Sequence, residues 1–413
     1  MISLLKGIRV LECAWLPTGD NTSRLMADLG ADVIKIERPG QGDYLRVLGG
    51  LMAPENSPFH LMCNRNKRSV ELNLRSDRGR EIFFELLKDC DIFVDGFASD
   101  ACDKLGIGYD EQRKVKPDII YCQANGFGRF GKYGPIPGHG YQFQSVGGGV
   151  VLREDEDGLM WEQADGGDIG TYFGGSLDGP LVGAVYAAMT ALAALQHRER
   201  TGEGSFIDTA CCDAVVSMQQ TDNVMQWNFD KIYDRRQPPP PYGTSPHARP
   251  KYSHYKCKDG KHVQLGAIEP KFWVNFCRAI DREDLMEQHD MTLPIEFFGN
   301  DRNLIFTLRD VFLTKTAQEW VDVAIAHDIP LVPTNTKTEV LDDPHLKARD
   351  ILETKVHPAV GEFTMPGWPA IVKGHQYETF RHAPALGEHT AEVLGAIGVG
   401  QSELEELRVQ GVV

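Results

Sequence analysis

The sequence predicts an α/β protein built on a parallel sheet and carrying a smaller α+β domain. Three observations carry this. A strand–helix–strand pattern fills Gly7 to Pro39, alternation of strand and helix continues to Gln123, and a hairpin signal follows a proline-rich break late in the chain. In the first pattern Ile8, Val10 and Leu11 open an apolar run of strand length. Thr22 to Leu29 then carries apolar residues at helical spacing. Gly30 closes that helix, since the residue after a helix favours positive φ. Ala31 to Ile36 is a second apolar run, rich in β-branched residues. A helical crossover makes such strands parallel, and ligands of parallel sheets gather at the carboxyl ends of the strands. Glu37, Arg38 and Pro39 stand at one of those ends. An Arg there suits a phosphate, whose oxygens its fork can bridge, or an ordinary surface ion pair.

Further along, Ser76 to Leu87 reads as an amphipathic helix, and Cys90–Val94 and Ile119–Gln123 as strands, which extends the sheet. Asn125 to Gly134 is a glycine-rich loop after the last of these. It lacks the G-K-[ST] ending of a P-loop, but its glycines would admit a ligand close to the backbone. Gly147 to Gly179 is a long, polar, acidic stretch, and Pro180 to Arg198 is one strong, alanine-rich helix. Arg235 to Pro250 is a proline-rich linker or surface loop. Tyr252 to Leu265 then alternates around Asp259-Gly260, a hairpin turn signal. A small α+β domain extends from there to about Pro330, and Leu341 to Val413 reads as further helices.

At about 150 residues per domain, 413 residues suggest two or three domains. The net charge of −16 argues against a general nucleic-acid binder, which needs basic surface to replace counterions. A local basic patch for an anionic ligand remains compatible with it. The nine cysteines are scattered with no C-x-x-C pair, so neither a disulfide framework nor a zinc site is indicated. Scattered thiols fit a reducing cytoplasm. The N-terminal stretch lacks the apolar core of a signal peptide, and no run of about 20 apolar residues is present to span a membrane.

The stretch A-D-L-G-A-D-V-I-K-I-E-R-P-G, then N-R-N-K-R-S-V-E-L-N-L at Asn64 to Leu74, resembles the class III CoA transferases, a family shared with the α-methylacyl-CoA racemases. Further matches run to the C-terminus. The resemblance implies a Rossmann-like large domain (1–225 and 331–413) with a small α+β domain (226–330) between its parts. It also implies an interlocked dimer. It implies an enzyme that moves CoA between an acyl-CoA and a free carboxylic acid, with coenzyme A as substrate and neither metal nor redox cofactor. In such transferases an Asp attacks the thioester, and an aspartyl anhydride and an aspartyl thioester follow.

The family places this Asp near the start of the helix that ends in R-x-R-T-G-x-G. Asp178, displaced by a residue or two, is the nearest candidate, and Asp168 in G-G-D-I-G-T is the second. An Asp near a helix start is electrostatically favoured, which equally suits a plain N-cap. His139 in P-G-H-G-Y and Glu269 in G-A-I-E-P-K-F-W resemble racemase segments, where acid–base groups flank the α-carbon. For the CoA phosphates the matching positions are Arg38, Arg46, Lys67, Arg68 and Lys104. Two positions depart from the family pattern: Ala98 stands where an Arg is expected, and P-T-G-D at Pro17 to Asp20 replaces A-G-P. Three readings result: a CoA transferase, an acyl-CoA racemase, and a non-catalytic subunit of a hetero-oligomer. The aromatics Trp161, Tyr172, Phe173, Trp227 and Trp273 hint at a bulky apolar acid, although aromatics are core residues first.

Overall fold

A computed structural model describes residues 3–162, 177–232, 249–296 and 302–413. The chain divides into two compact units, Met1–Val224 with Ala348–Val413, and Met225–Lys347. In the first unit six strands form one sheet, every neighbouring pair parallel: β1 (Arg9–Cys13), β2 (Asp32–Glu37), β3 (Lys67–Glu71), β4 (Ile92–Asp95), β5 (Ile120–Asn125) and β6 (Ser205–Ala210). Their order is β3-β2-β1-β4-β5-β6. The chain therefore leaves β1 in one direction across the sheet and later resumes on its other side at β4. The crevice outside the carboxyl ends of those two strands is where such sheets bind ligands.

Both faces of the sheet are covered, so its strands are apolar on both sides. Leu11, Ile34, Val70, Phe93 and Tyr121 pack with Phe83 and with Leu394, Leu404 and Leu407 from the end of the chain. Val10, Val33, Ile92, Val94 and Cys122 pack on the other face with Met26, Ala187 and Ala191. The helices that bear on the core or on the carboxyl edge of the sheet include α1 (Leu16–Asp28), α2 (Asp77–Leu87), α3 (Gly140–Val146), α4 (Asp178–Thr201) and α5 (Cys211–Met218). The Ser76 hydroxyl caps α2 by accepting from the Gly79 amide at 3.0 Å. Gly202 ends α4 with φ +76°.

Among the described residues, only α4 is long and apolar enough to cross a membrane, which corrects the sequence reading that found no such run; half of its apolar stretch is buried inside the protein. Its alanines at 184, 187, 188 and 191 are buried and allow close approach to the sheet.

The structure departs from the sequence reading in four further places. α1 begins at Leu16, six residues before the expected Thr22. Its first turns, P-T-G-D-N-T-S, are polar yet buried, so they carry no apolar signal. The glycine-rich stretch after Gly147 contains a short hairpin, Leu152–Glu154 with Met160–Glu162. The small unit continues to Lys347 rather than closing at 330, because Leu331–Pro333 pairs with His262–Gly266 as the third strand of its sheet. The predicted hairpin, Tyr252–Lys256 with His262–Gly266, forms the rest of that sheet. The last segment, expected to be helical, opens with a hairpin, Leu352–His357 with Gly361–Pro366.

A close crossing fixes the start of α1. A Cβ on Gly19 would lie 2.3 Å from the Ala14 Cβ and 3.1 Å from the Gly96 Cα. Only backbone fits there, where the loops after β1 and β4 meet. Gly19→Ala is expected to destabilise the protein by about 2 kcal/mol, the scale of core overpacking. A urea titration unchanged from the wild type would refute this.

Candidate active site

The carboxyl edge of the large sheet gathers four segments. The first follows β1, where Leu16 takes φ +68° and α1 begins. The second, Gly96 to Ser99, follows β4, and the glycine-rich loop follows β5. The fourth is the start of α5 directly after β6. Thr18 on α1 and Cys211 on α5 hydrogen-bond at 3.3 Å, which joins the first segment to the last. The first turn of α4 seats on the same place. Built Cβ atoms on Gly179 and Gly183 would lie 3.7 Å from the Cys211 Cβ. Asp178, the first residue of α4, is exposed beside this seat. Three residues before Thr18, Trp15 meets Tyr44 and Phe97 edge-on, with ring centres 5.1 and 5.5 Å apart.

The glycine-rich loop is tied down. The Gly128 amide donates to the Asn125 side chain at 2.7 Å, and the Arg129 amide donates to both carboxylate oxygens of Asp208 at 2.9 Å. Arg129 also pairs with Asp103. A Cβ on Gly126 would overlap the Phe143 ring of α3, so glycine lets that helix close onto the loop.

Beneath the edge lies a buried ionic network. Lys35 donates to Glu12 at 2.8 Å, the Ala14 carbonyl at 2.9 Å, Asp20 at 2.5 Å and Asp43 at 2.8 Å. Lys67 donates to Glu12 at 2.7 Å, the Asp20 carbonyl at 2.8 Å and Asn64 at 2.9 Å. Burial pushes the Glu12 carboxyl up, but Lys35 and Lys67 outweigh it and hold it at about 2. Burial, with Asp43 beside it, pushes the Asp20 carboxyl well above the usual range. Three carboxyl groups, those of Glu12, Asp20 and Asp43, thus share two ammonium groups. Asp43 also accepts from the Leu16 amide at 3.2 Å and the Leu45 amide at 2.9 Å. The network therefore sets both the turn at Trp15 and the segment that carries Tyr44.

A second buried pair stands at the end of β2. Arg46 donates to Glu37 through Nε at 2.9 Å and through Nη2 at 2.6 Å, and the Ser69 hydroxyl donates to Glu37 at 2.6 Å. Burial opposes ionisation of Glu37, but Arg46 and then Lys35 hold its carboxyl down at about 2. An acid held below its usual 4.5 stabilises the fold above about pH 4.5, and that contribution is lost as pH falls through about 2. Glu37→Gln is expected to cost about 3 kcal/mol near neutral pH, and the difference from the wild type should vanish near pH 2. A pH-independent difference in urea unfolding would contradict this.

The phosphate-site residues read from the sequence meet different fates. Arg38 is exposed at the end of β2, and Lys104 is exposed and paired with Asp100 at 2.7 Å. Arg46 and Lys67 are buried, and their charges are matched inside the fold, so the expectation that they face a phosphate is corrected. Arg68 stands at the amino end of β3, opposite Ile34, and pairs with Asp32 at 2.6 Å and Glu392 at 3.0 Å; the fold does not bring it to the carboxyl edge.

Of the acid–base candidates, His139 is exposed just before α3, where its amide donates to the Gln142 side chain at 2.5 Å. It stands eight residues before Gly147, whose built Cβ would meet Val215 of α5. At 1.5 Å per helical residue that is about 12 Å. Glu269 precedes the helix Pro270–Ala279 in the other unit. Asp168 lies outside the described residues, as do Tyr172 and Phe173. Trp273 is a buried core residue of the small unit, whereas Trp161 and Trp227 are exposed. Sequence reasoning missed Lys35, Trp15, Tyr44 and Phe97. A lysine inside the apolar strand V-I-K-I-E was a usable signal, because an ammonium buried in a sheet needs carboxylate partners.

The model of CoA-transferase family III matches residues 5–390. The chain belongs to CoA-transferase family III. A (R)-2-hydroxy-4-methylpentanoate CoA-transferase from Clostridioides difficile is 28% identical over 99% of both chains. A succinyl-CoA:mesaconate CoA-transferase from Haloarcula hispanica is 32% identical, over 96% of this chain and 97% of the relative. Among solved structures, a mutant of Rv3272 from Mycobacterium tuberculosis superposes with a TM-score of 0.75 at 26% identity, covering 94% of this chain and 98% of that one. As a member of CoA-transferase family III, the protein is a CoA transferase, and the α/β fold with its six-stranded parallel sheet agrees with that membership.

Proposed function

We propose that this protein moves CoA from an acyl-CoA to a free carboxylate through Asp178, by way of two anhydrides and an aspartyl thioester. One observation carries the reading: Asp178 is an exposed carboxylate on the first turn of α4, seated by Gly179 and Gly183 against α5 at the carboxyl edge of the sheet. The free amides of a first helical turn are complementary to a carboxylate and to the oxyanion that forms next to it.

Four steps complete a balanced cycle. An Asp178 oxygen attacks the thioester carbonyl, the C–S bond breaks, and CoA leaves as the thiolate. The thiolate attacks the Asp178 carbonyl of the mixed anhydride and releases the first acid as its carboxylate. The acceptor carboxylate attacks the resulting aspartyl thioester and again expels the thiolate. The thiolate then takes the acyl group from the second anhydride and regenerates Asp178. Anhydride and thioester are both prone to hydrolysis, so the site has to exclude water. Arg38 and Lys104, the exposed cations of the predicted set, are assigned to the CoA phosphates. Assembly as a dimer belongs to the same proposal, and light scattering reads it directly. Asp168 is the alternative nucleophile.

The test is incubation with an acyl-CoA, then borohydride or hydroxylamine, then peptide mass mapping. Modification at Asp178 is the expected result. Modification at Asp168 would move the nucleophile, and no modified carboxylate at all would overturn the mechanism. The relatives are named for different acids, one for 2-hydroxy-4-methylpentanoate and another for succinyl-CoA and mesaconate. The class of acid therefore has to come from this chain's own residues.

A further inference from the structure

The segment after β2 forms a closed loop with an unusual outer surface. Its base is tied where the Ser57 amide donates to the Arg46 carbonyl at 3.2 Å and the Ser57 hydroxyl donates to the Leu45 carbonyl. Inside the loop, the Met52 amide donates to the Asn56 carbonyl at 3.0 Å and the Asn56 amide to the Ala53 carbonyl at 2.9 Å. Gly49 and Gly50 turn the chain with φ +80° and +98°. A compact loop whose ends meet in this way has a defined shape and is frequently functional. What it presents is apolar: Tyr44, Val47, Leu48, Leu51 and Met52 are 60, 58, 36, 56 and 46% exposed. Five large apolar side chains exposed within nine residues call for something to cover them.

Two features identify the occupant. The patch is continuous with the candidate site. Tyr44 meets Trp15, the Leu16 amide binds Asp43, and Thr18 binds Cys211, against which the first turn of α4 seats. Its charge also has one sign. From Tyr44 to Ser57 the side chains that carry charge at neutral pH are Arg46 and Glu55. Arg46 is buried and bound bidentately to Glu37, so the loop offers no cation. Glu55 is exposed. A second carboxylate on the acyl group would meet apolar surface here, and would lose its hydration without gaining a cation from the loop.

We propose that the Tyr44–Met52 surface, with Trp15, receives the acyl side chain of the substrate, and that this side chain is an aliphatic or aromatic group with no second carboxylate. The proposal rests on the transferase reading and adds its substrate class. Burial of one branched aliphatic side chain against such a surface contributes enough to change affinity roughly tenfold or more.

The test compares isovaleryl-CoA with succinyl-CoA as donors to the full-length protein, reading the rate of borohydride-trapped aspartyl thioester under subsaturating donor. Isovaleryl-CoA is expected to react at least about tenfold faster. Leu51→Arg, an exposed position, is expected to narrow that ratio about tenfold, chiefly through the concentration dependence of trapping rather than its plateau. Faster trapping with succinyl-CoA would overturn the substrate class and leave the transferase mechanism standing. A tenfold preference for isovaleryl-CoA that Leu51→Arg leaves unchanged would overturn the assignment of this loop. Trapping with neither donor would overturn the mechanism and the substrate class together.

Discussion

Asp178→Asn is expected to lower the rate of CoA transfer by about a thousandfold or more and to remove the trapped thioester from the peptide that begins α4. The amide keeps the shape of the carboxylate but cannot form the anhydride, so the step is lost rather than slowed. Removal of a nucleophile costs far more than removal of a positioning group. Asp178 is exposed, and Leu177 rather than Asp178 is the residue capping α4, so the substitution leaves packing and cap intact. Thermal unfolding within about a degree of the wild type is expected alongside the loss of activity. Should the variant retain wild-type turnover, Asp178 is not the nucleophile; a label then found at Asp168 would transfer the role.

Lys35→Met is expected to destabilise the protein by about 3 to 5 kcal/mol, the scale for breaking a buried ion pair from one side. Methionine fills a similar volume but leaves Glu12 and Asp43 without the ammonium that both contact at 2.8 Å. It also removes the donor to the Ala14 carbonyl, and with it one of the ties that hold Trp15 and the start of α1. Acid should relieve the defect, because protonated carboxyl groups no longer need a counter-charge. Urea unfolding at pH 7 and pH 4 measures both parts. A loss below about 1 kcal/mol at pH 7 would show that the network contributes little.

The legible parts of this fold were those in which pattern and environment agree. Val10 and Leu11, Val33 and Ile34, and Ile92 and Phe93 are neighbours that pack on opposite faces of one sheet. Fully apolar runs announce that arrangement. The alanine-rich α4, its glycine stop and the Asp259-Gly260 turn were equally readable. The polar first turns of α1 were not. Thr18, Asp20, Asn21, Thr22 and Ser23 are buried, but Ser23 donates to Glu12 on β1, and Asp20 accepts from Lys35 on β2 and from Asn64. Arg46 and Lys67 show the same limit. In sequence they look like cations for a phosphate, and in space they face Glu37 and Glu12.

By itself the sequence determined the strand and helix periodicity, the parallel sheet, the resemblance to a CoA-transferase family and a short set of candidate carboxylates. The tertiary structure decided which cations remain exposed, that Asp178 is exposed on the first turn of α4, and which loop turns its apolar side chains outward. The physical reason is range. Periodicity is set by the covalent geometry of neighbouring residues, whereas the state of a charge depends on desolvation and on partners tens to hundreds of residues away.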